Sequence, residues 1–261
     1  MQIDKELFPE ATKPLIDLLN SEDWPEAAPT FLICEETEQD KLERAEGIVD
    51  YLNVDLAGKR VLDFGCGEGH VSQVASKTAA LSVGYDLNQT GSLPWESDTG
   101  AILTTDFSRV TEQGPYDVVL LYDVLDHCDN PVAVLEQVAS VATLESKIVI
   151  RCHSWMSRHG GHLYRQLNKA YIHLVFTPEE LKLMGLELPN LQKYYFPINT
   201  HQGWFKEAGF EVVSHEPVKT SVERFFHRPK IVKRLPLDQF KGEFPEWQMS
   251  QSFNDYVLKK K

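Results

Sequence analysis

Apolar and polar positions follow two rhythms along this chain, and the switches between them mark out its elements. Apolar runs of strand length fall at Arg60–Phe64, Leu81–Tyr85, Ala101–Thr104, Val118–Tyr122 and Lys147–Ile150. Their length and close bounding suit buried strands. Helical spacing lies between several of them. Apolar residues at Leu42, Ala45, Ile48, Val49 and Leu52 predict a helix over 40–52, and Val71–Ala75 opens another after the first strand. A third is predicted over 131–142, with Pro131 at the first helical position, where its missing N–H leaves no bond unmade. Leu15, Ile16, Leu18 and Leu19 form a short helical pattern near the start, and Thr177-Pro178 reads as a helix cap and first position. Phe210–Val213 and Phe253–Leu258 read as a sixth and a seventh strand. Alternating strands and helices predict an α/β fold, doubly wound around a mostly parallel seven-stranded sheet with helices on both faces.

The connection after the first strand carries the densest chemistry. Val61–His70 reads V-L-D-F-G-C-G-E-G-H, with Gly65, Gly67 and Gly69 at alternate positions directly after Asp63. Residues without Cβ let a backbone turn sharply and lie against a ligand. The second strand then ends in Asp86, about 20 residues on, where a carboxylate is placed to accept bonds from a ribose. Right-handed crossovers bring the carboxyl ends of parallel strands to one edge of the sheet, where ligands bind. Asp63–Gly69, Asp86, Asp106, Asp123–His127 and Arg151–Trp155 all fall at such ends and predict one composite site.

This stretch resembles motif I of the class I S-adenosylmethionine-dependent methyltransferases, and further segments extend the resemblance. Thr104-Thr105-Asp106-Phe107 is similar to the segment after the third strand. Tyr116–His127 is similar to the fourth strand and its loop, and Trp204–Val213 to the late helix, A-G-F turn and sixth strand. The match spans roughly residues 42–218. It implies an antiparallel last strand and S-adenosylmethionine as cofactor, held by Asp63, Gly65, Cys66, Gly67, Gly69, Asp86, Leu87, Asp106, Phe107 and Tyr122. Of these, Asp86 would bind the ribose hydroxyls and Asp106 the adenine amino group, with Leu87 or Phe107 against the ring. Asp123-x-x-Asp126-His127 also has the spacing of an E-x-x-E-H element that binds a divalent ion in some relatives, but with Asp in place of Glu; no metal is assigned.

The resemblance divides the chain into an N-terminal cap or lid, 1–40, and a methyltransferase domain, 41–261, with substrate-side insertions at about 153–197 and 219–247. The second insertion, basic and proline-bearing, is read as lying outside the core. Charge sharpens this division. Residues 1–150 carry 28 acidic and 9 basic groups, whereas 151–261 carry 11 and 17. A positive region over the reaction mouth would favour an anionic substrate. Arg151, Arg158, His159 and His162 are the candidate substrate residues, since guanidinium and imidazole suit a carboxylate or phosphate.

Methyl transfer from a sulfonium needs alignment and, for some acceptors, a base. His127 and His153 are candidates because an unperturbed imidazole titrates near neutrality, and Asp123 is the carboxylate candidate. The expected activity is transfer to an oxygen or nitrogen of a polar small molecule. A nucleic-acid methyltransferase is the less favoured alternative. Its support is the basic, aromatic run Arg224–Arg234; against it stand the acidic net charge of −13 and Asp123-Val124-Leu125-Asp126 where an N-P-P-Y element would stand. A non-catalytic protein that keeps the fold is the third reading. Four scattered cysteines without zinc spacing, and a polar N-terminus unlike a secretory signal, place the expected compartment in the cytoplasm, with no membrane partner. Oligomeric state is left open.

Overall fold

In the computed structural model, residues 13–21, 24, 37–90, 100–186, 188, 199–236 and 245–261 are described. The helices are α1 (Lys13–Asn20), α2 (Glu38–Leu52), α3 (His70–Ser76), α4 (Phe107–Gln113), α5 (Pro131–Val141), α6 (Ile172–Val175), α7 (Pro178–Leu183), α8 (Asn199–Glu207), α9 (Glu223–Phe226), α10 (Pro229–Val232) and α11 (Pro245–Ser250). The strands are β1 (Arg60–Phe64), β2 (Leu81–Tyr85), β3 (Ile102–Thr104), β4 (Tyr116–Tyr122), β5 (Ala142–His153), β6 (Phe210–Lys219) and β7 (Gln251–Lys260). They form one seven-stranded sheet in the order β3-β2-β1-β4-β5-β7-β6. β1 pairs in parallel with β2 and β4, β2 with β3, and β4 with β5, while the last strand is antiparallel. The expected α/β class and strand directions are therefore present.

Strand alternation explains why helices cover both faces. Leu62, Phe64, Val83, Tyr85, Val119, Leu121, Ile148 and Ile150 share one face and pack with Val110 of α4, Leu135 and Val138 of α5 and Phe205 of α8. Their neighbours Val61, Val118, Leu120 and Val149 point the other way, against Ala75 of α3 with Val49 and Leu52 of α2. With both faces buried, these strands lack polar alternation and read as continuous apolar runs.

Contacts divide the chain into two compact units. The sheet unit comprises Cys34–Cys152, His201–Glu216 and Asn254–Lys261; the helical unit comprises Met1–Ile33, His153–Thr200 and Pro217–Phe253. The helical unit has an apolar centre of its own. Trp24 stacks on Phe176 at 6.2 Å between ring centroids, and Tyr171 lies 4.6 Å from Phe225. Within the expected insertion at 219–247, Phe225 and Ile231 are buried at 1% and 0% exposure. Within the basic run, Arg234 pairs with Glu180 and donates to the carbonyl of Val175. The Phe225 ring is thus unavailable to stack on a base.

Candidate active site

The three glycines after β1 adopt left-handed backbone, with φ of +79° at Gly65, +54° at Gly67 and +89° at Gly69. They differ in what surrounds them. A Cβ on Gly65 would stand 2.5 Å from Val124 Cγ2, and one on Gly69 would stand 2.5 Å from Leu103 Cδ1. Those two glycines are required by packing as well as by backbone angle. A Cβ on Gly67 would meet only Thr90 Oγ1, at 3.9 Å. Among the described residues this is ordinary contact, so packing leaves more room at Gly67 than at its two neighbours.

Asp86 is directed at that point. Its Oδ2 accepts a 2.9 Å hydrogen bond from the Gly67 amide, which joins the tip of β2 to the loop after β1. Leu87, the next residue, is 76% exposed, an apolar surface beside the carboxylate. On β1, Asp63 is buried and accepts from Ser72 Oγ at 2.7 Å. Burial pushes its carboxyl up to about 6 although the Ser72 bond opposes the shift. Cys66 is raised too, chiefly by burial, so it is held as a thiol. Asp106 Oδ1 caps α4 by accepting from the Ser108 amide at 2.9 Å, and the Ser108 side chain first, then this amide, hold its carboxyl below the usual range. The expected adenine contact would have to use a side chain already committed to a helix end. Phe107 is half-buried, its ring edge-on to Tyr85 at 5.4 Å and to Phe64 at 6.4 Å.

At the tip of β4 the environment changes. Asp123 has a left-handed φ of +54°, unusual for a residue with a side chain, and its Oδ1 is buried without a hydrogen-bond partner among the described residues. Burial first, then the neighbouring Asp126, pushes its carboxyl up to about 8 against the opposing pull of Arg151. His127 is half-exposed on the short 3-10 turn Leu125–His127, its Nε2 3.5 Å from Asp126 Oδ2.

Arg151 departs from expectation. It is buried at 8% exposure, and its Nε lies 3.0 Å from Asp255 Oδ1. Its Nη2 donates to Tyr51 Oη at 3.0 Å and Nη1 to Tyr122 Oη at 3.3 Å. Tyr51 Oη in turn donates to Asp255 Oδ2 at 2.6 Å, and the guanidinium lies over the Tyr51 ring at 4.2 Å. This corrects its reading as a substrate-facing residue, because a guanidinium with protein partners around its fork has little left to offer a ligand. Tyr51 and Asp255 escaped sequence reasoning. Each is an ordinary residue of an amphipathic element, and only the fold brings them to Arg151.

The remaining candidates belong to the helical unit, where the structure brings them together. The rings of His153 and His162 lie 5.3 Å apart, and that of His159 lies 5.3 Å from Tyr164. Burial first, then Arg158 and the flanking histidines, pushes His159 down to about 4. Near neutral pH it is therefore an uncharged hydrogen-bonding group. Arg158 supplies a guanidinium to this cluster.

A family model described as a methyltransferase domain matches residues 37–215 of this chain. The chain belongs to this methyltransferase family. Its seven-stranded sheet, with the order and strand directions given above, is the fold that the resemblance implied. The methyltransferase is 27% identical over 174 residues to ubiquinone biosynthesis O-methyltransferase of Pseudomonas aeruginosa, covering 60% of this chain and 66% of that protein. It is 29% identical over 155 residues to the protein of the same name from Vibrio parahaemolyticus, covering 54% and 55%. The chain thus spans less than two thirds of the length of either relative. A crystallised S-adenosylmethionine-dependent methyltransferase from Mesorhizobium loti aligns over 84% of this chain and 100% of its own, at 13% identity and a TM-score of 0.48. Among the described residues, no helix is long and apolar enough to cross a membrane.

Proposed function

We propose that the methyltransferase transfers a methyl group to an oxygen of a polar, anionic small molecule. In this reading the cofactor lies along Gly65–Gly69. The observation that carries the reading is the 2.9 Å bond between the Gly67 amide and Asp86, at the glycine of the loop that the described residues crowd least. A bound S-adenosylmethionine supplies a methyl already activated by its sulfonium. Asp86 would hold the ribose diol, since a carboxylate matches two adjacent hydroxyls. Leu87 and Phe107 would flank the adenine. Asp63, Cys66 and Gly69 would shape the loop, Asp106 would border the adenine edge, and Tyr122 would stand beside the reacting end.

The protein's own chemistry is then positioning and proton handling. Asp123 is the proposed proton acceptor: its raised carboxyl holds a proton at neutral pH and becomes a base as pH rises through about 8. His127 and His153 are the imidazole alternatives. Arg158, with His159 and His162 as hydrogen-bonding partners, is proposed to bind the acceptor's anionic group. Oxygen is favoured over nitrogen by the relatives' names, both of which specify O-methylation.

Calorimetric titration with S-adenosylhomocysteine tests the cofactor site, and product formation over hydroxylated carboxylic acids against matched amines tests the acceptor. Binding lost in Asp86→Ala, with turnover only on the hydroxyl compounds, is the expected result. Undiminished binding in that variant, or methylation of amines alone, would overturn the corresponding half.

A further inference from the structure

We infer that Lys41 and Glu38, on the first turns of α2, are positioning residues that hold the glycine loop in its ligand-ready shape through Glu68 and His70. The inference rests on the reading above, that this loop receives the cofactor. Lys41 Nζ lies 2.5 Å from Glu68 Oε2 and 3.0 Å from Glu38 Oε1. The second oxygen of Glu38 lies 3.0 Å from His70 Nε2, and His70 Nδ1 lies 3.9 Å from Glu68 Oε2. Glu68 stands between Gly67 and Gly69, and His70 opens α3. Both ends of the loop's last turn are therefore gripped from one helix.

The grip has a firm base. α2 starts in a capping box, in which Thr37 Oγ1 accepts from the Asp40 amide at 3.2 Å and Asp40 Oδ2 accepts from the Thr37 amide at 2.8 Å. That fixes the turn from which Glu38 and Lys41 project. Lys41 and His70 keep only 16% and 14% of their side-chain surface, so this is not a fully solvated pair of the kind that contributes nothing. The two carboxylates and the imidazole place their ligand atoms within 4.8 Å of one another, and the Lys41 ammonium supplies the positive charge such a cluster demands.

The loop needs the grip because glycines at three alternate positions leave its backbone with many accessible states. Ordering it before the ligand arrives removes that entropy from the binding step. Glu68 is the residue through which a neighbouring element can reach Gly67 and Gly69 without filling the space beside Gly67. The result is a loop shaped from behind and left open in front.

The test is calorimetric titration of S-adenosylhomocysteine into wild type, Lys41→Met, Lys41→Arg, Lys41→Glu, the swap Lys41→Glu with Glu68→Lys, and Asp86→Ala. Initial rates and melting curves accompany each variant. Lys41→Met is expected to weaken binding about fivefold and raise the KM for cofactor equally, with kcat at saturating cofactor unchanged. Lys41→Arg should retain binding, Lys41→Glu should be the weakest, and the swap should recover most of the loss. Wild-type binding in Lys41→Met, or a swap no better than Lys41→Glu alone, would overturn the inference. If Lys41→Met fails to fold, the arginine variant and the swap decide. Should Asp86→Ala also bind as wild type, the cofactor reading itself falls; should only Asp86→Ala lose binding, the reading stands and the positioning role falls.

Discussion

Strands β2 and β4 each deliver an aspartate to the ligand-binding edge of the sheet, and the two are built in opposite ways. Asp86 follows β2 with its Oδ2 seated on the Gly67 amide at 2.9 Å. Asp123 follows β4 in a left-handed conformation, with a buried Oδ1 that has no hydrogen-bond donor among the described residues and a second carboxylate, Asp126, close by. A hydrogen bond from main chain makes a carboxylate a fixed acceptor; burial beside a second carboxylate makes it a holder of protons. One sheet edge thus carries the carboxylate proposed to bind the cofactor and a second whose proton burial retains.

The comparison breaks most decisively at Asp123. Asp123→Asn is expected to lower kcat by about 100-fold or more, the usual range for loss of a general base. Cofactor affinity should barely change. The pH profile is the sharper readout. The carboxyl is raised far above its ordinary 3.8, so its base form populates only as pH rises through about 8, and wild-type kcat should climb across that window. Asp123→Asn should lose this limb. A limb that persists in Asp123→Asn and vanishes in His127→Ala would move the base to the imidazole.

Asp63 lies between the two cases, fully buried yet partnered by Ser72. Its carboxyl is raised from 3.8 to about 6 mainly by burial, so its contribution to folding is complete below 3.8 and lost as pH rises through about 6. Asp63→Asn keeps an acceptor for the Ser72 hydroxyl and carries no charge. It should stabilise the fold at pH 7.5 by up to about 3 kcal/mol, with no gain at pH 4. Melting temperatures at the two pH values check this; an equal shift at both would show that the charge is not what costs stability. Asp86→Ala should leave melting almost unchanged and weaken S-adenosylhomocysteine by about 2 kcal/mol, roughly 30-fold, the scale of hydrogen bonds to a charged group.

Which parts of this were legible in the sequence follows from how far each signal reaches. β1 and β2 match their predicted bounds because turn residues stop each apolar run cleanly. β5 extends to Ala142 at one end and His153 at the other, beyond the predicted Lys147–Ile150. Its first residues, Thr143, Leu144 and Glu145, are exposed and lack the apolar signature of a buried strand. The loop glycines and Asp86 could be read because 19 residues separate the bonded pair and a single βα unit fixes their geometry. Arg151 could not, because Tyr51 is 100 residues away and Asp255 is 204 residues beyond Tyr51. Residue type alone made it look like a substrate ligand. The histidines at 153, 159 and 162 stand close together in the sequence, but the charge of His159 was not legible there. Burial, which a sequence does not display, leaves His159 neutral.

The smallest effect tests the loop on which Asp86 acts. Gly65 and Gly67 share a left-handed backbone but not a neighbourhood, so alanine should separate their roles. At Gly67 the new methyl meets nothing closer than 3.9 Å among the described residues, and the expected cost to folding is the conformational penalty, about 1 kcal/mol. At Gly65 the same methyl would stand 2.5 Å from Val124 Cγ2, so β4's following segment must shift and the loss of stability should be larger. Cofactor affinity should run the other way relative to stability. Gly67→Ala should melt close to wild type yet bind S-adenosylhomocysteine several-fold more weakly, since its methyl occupies the space the ligand needs. If Gly67→Ala binds as wild type, the open side of the loop is not where the cofactor approaches. Asp86 would then be an acceptor that merely staples β2 to β1, and the contrast with Asp123 would be one of structure rather than of task.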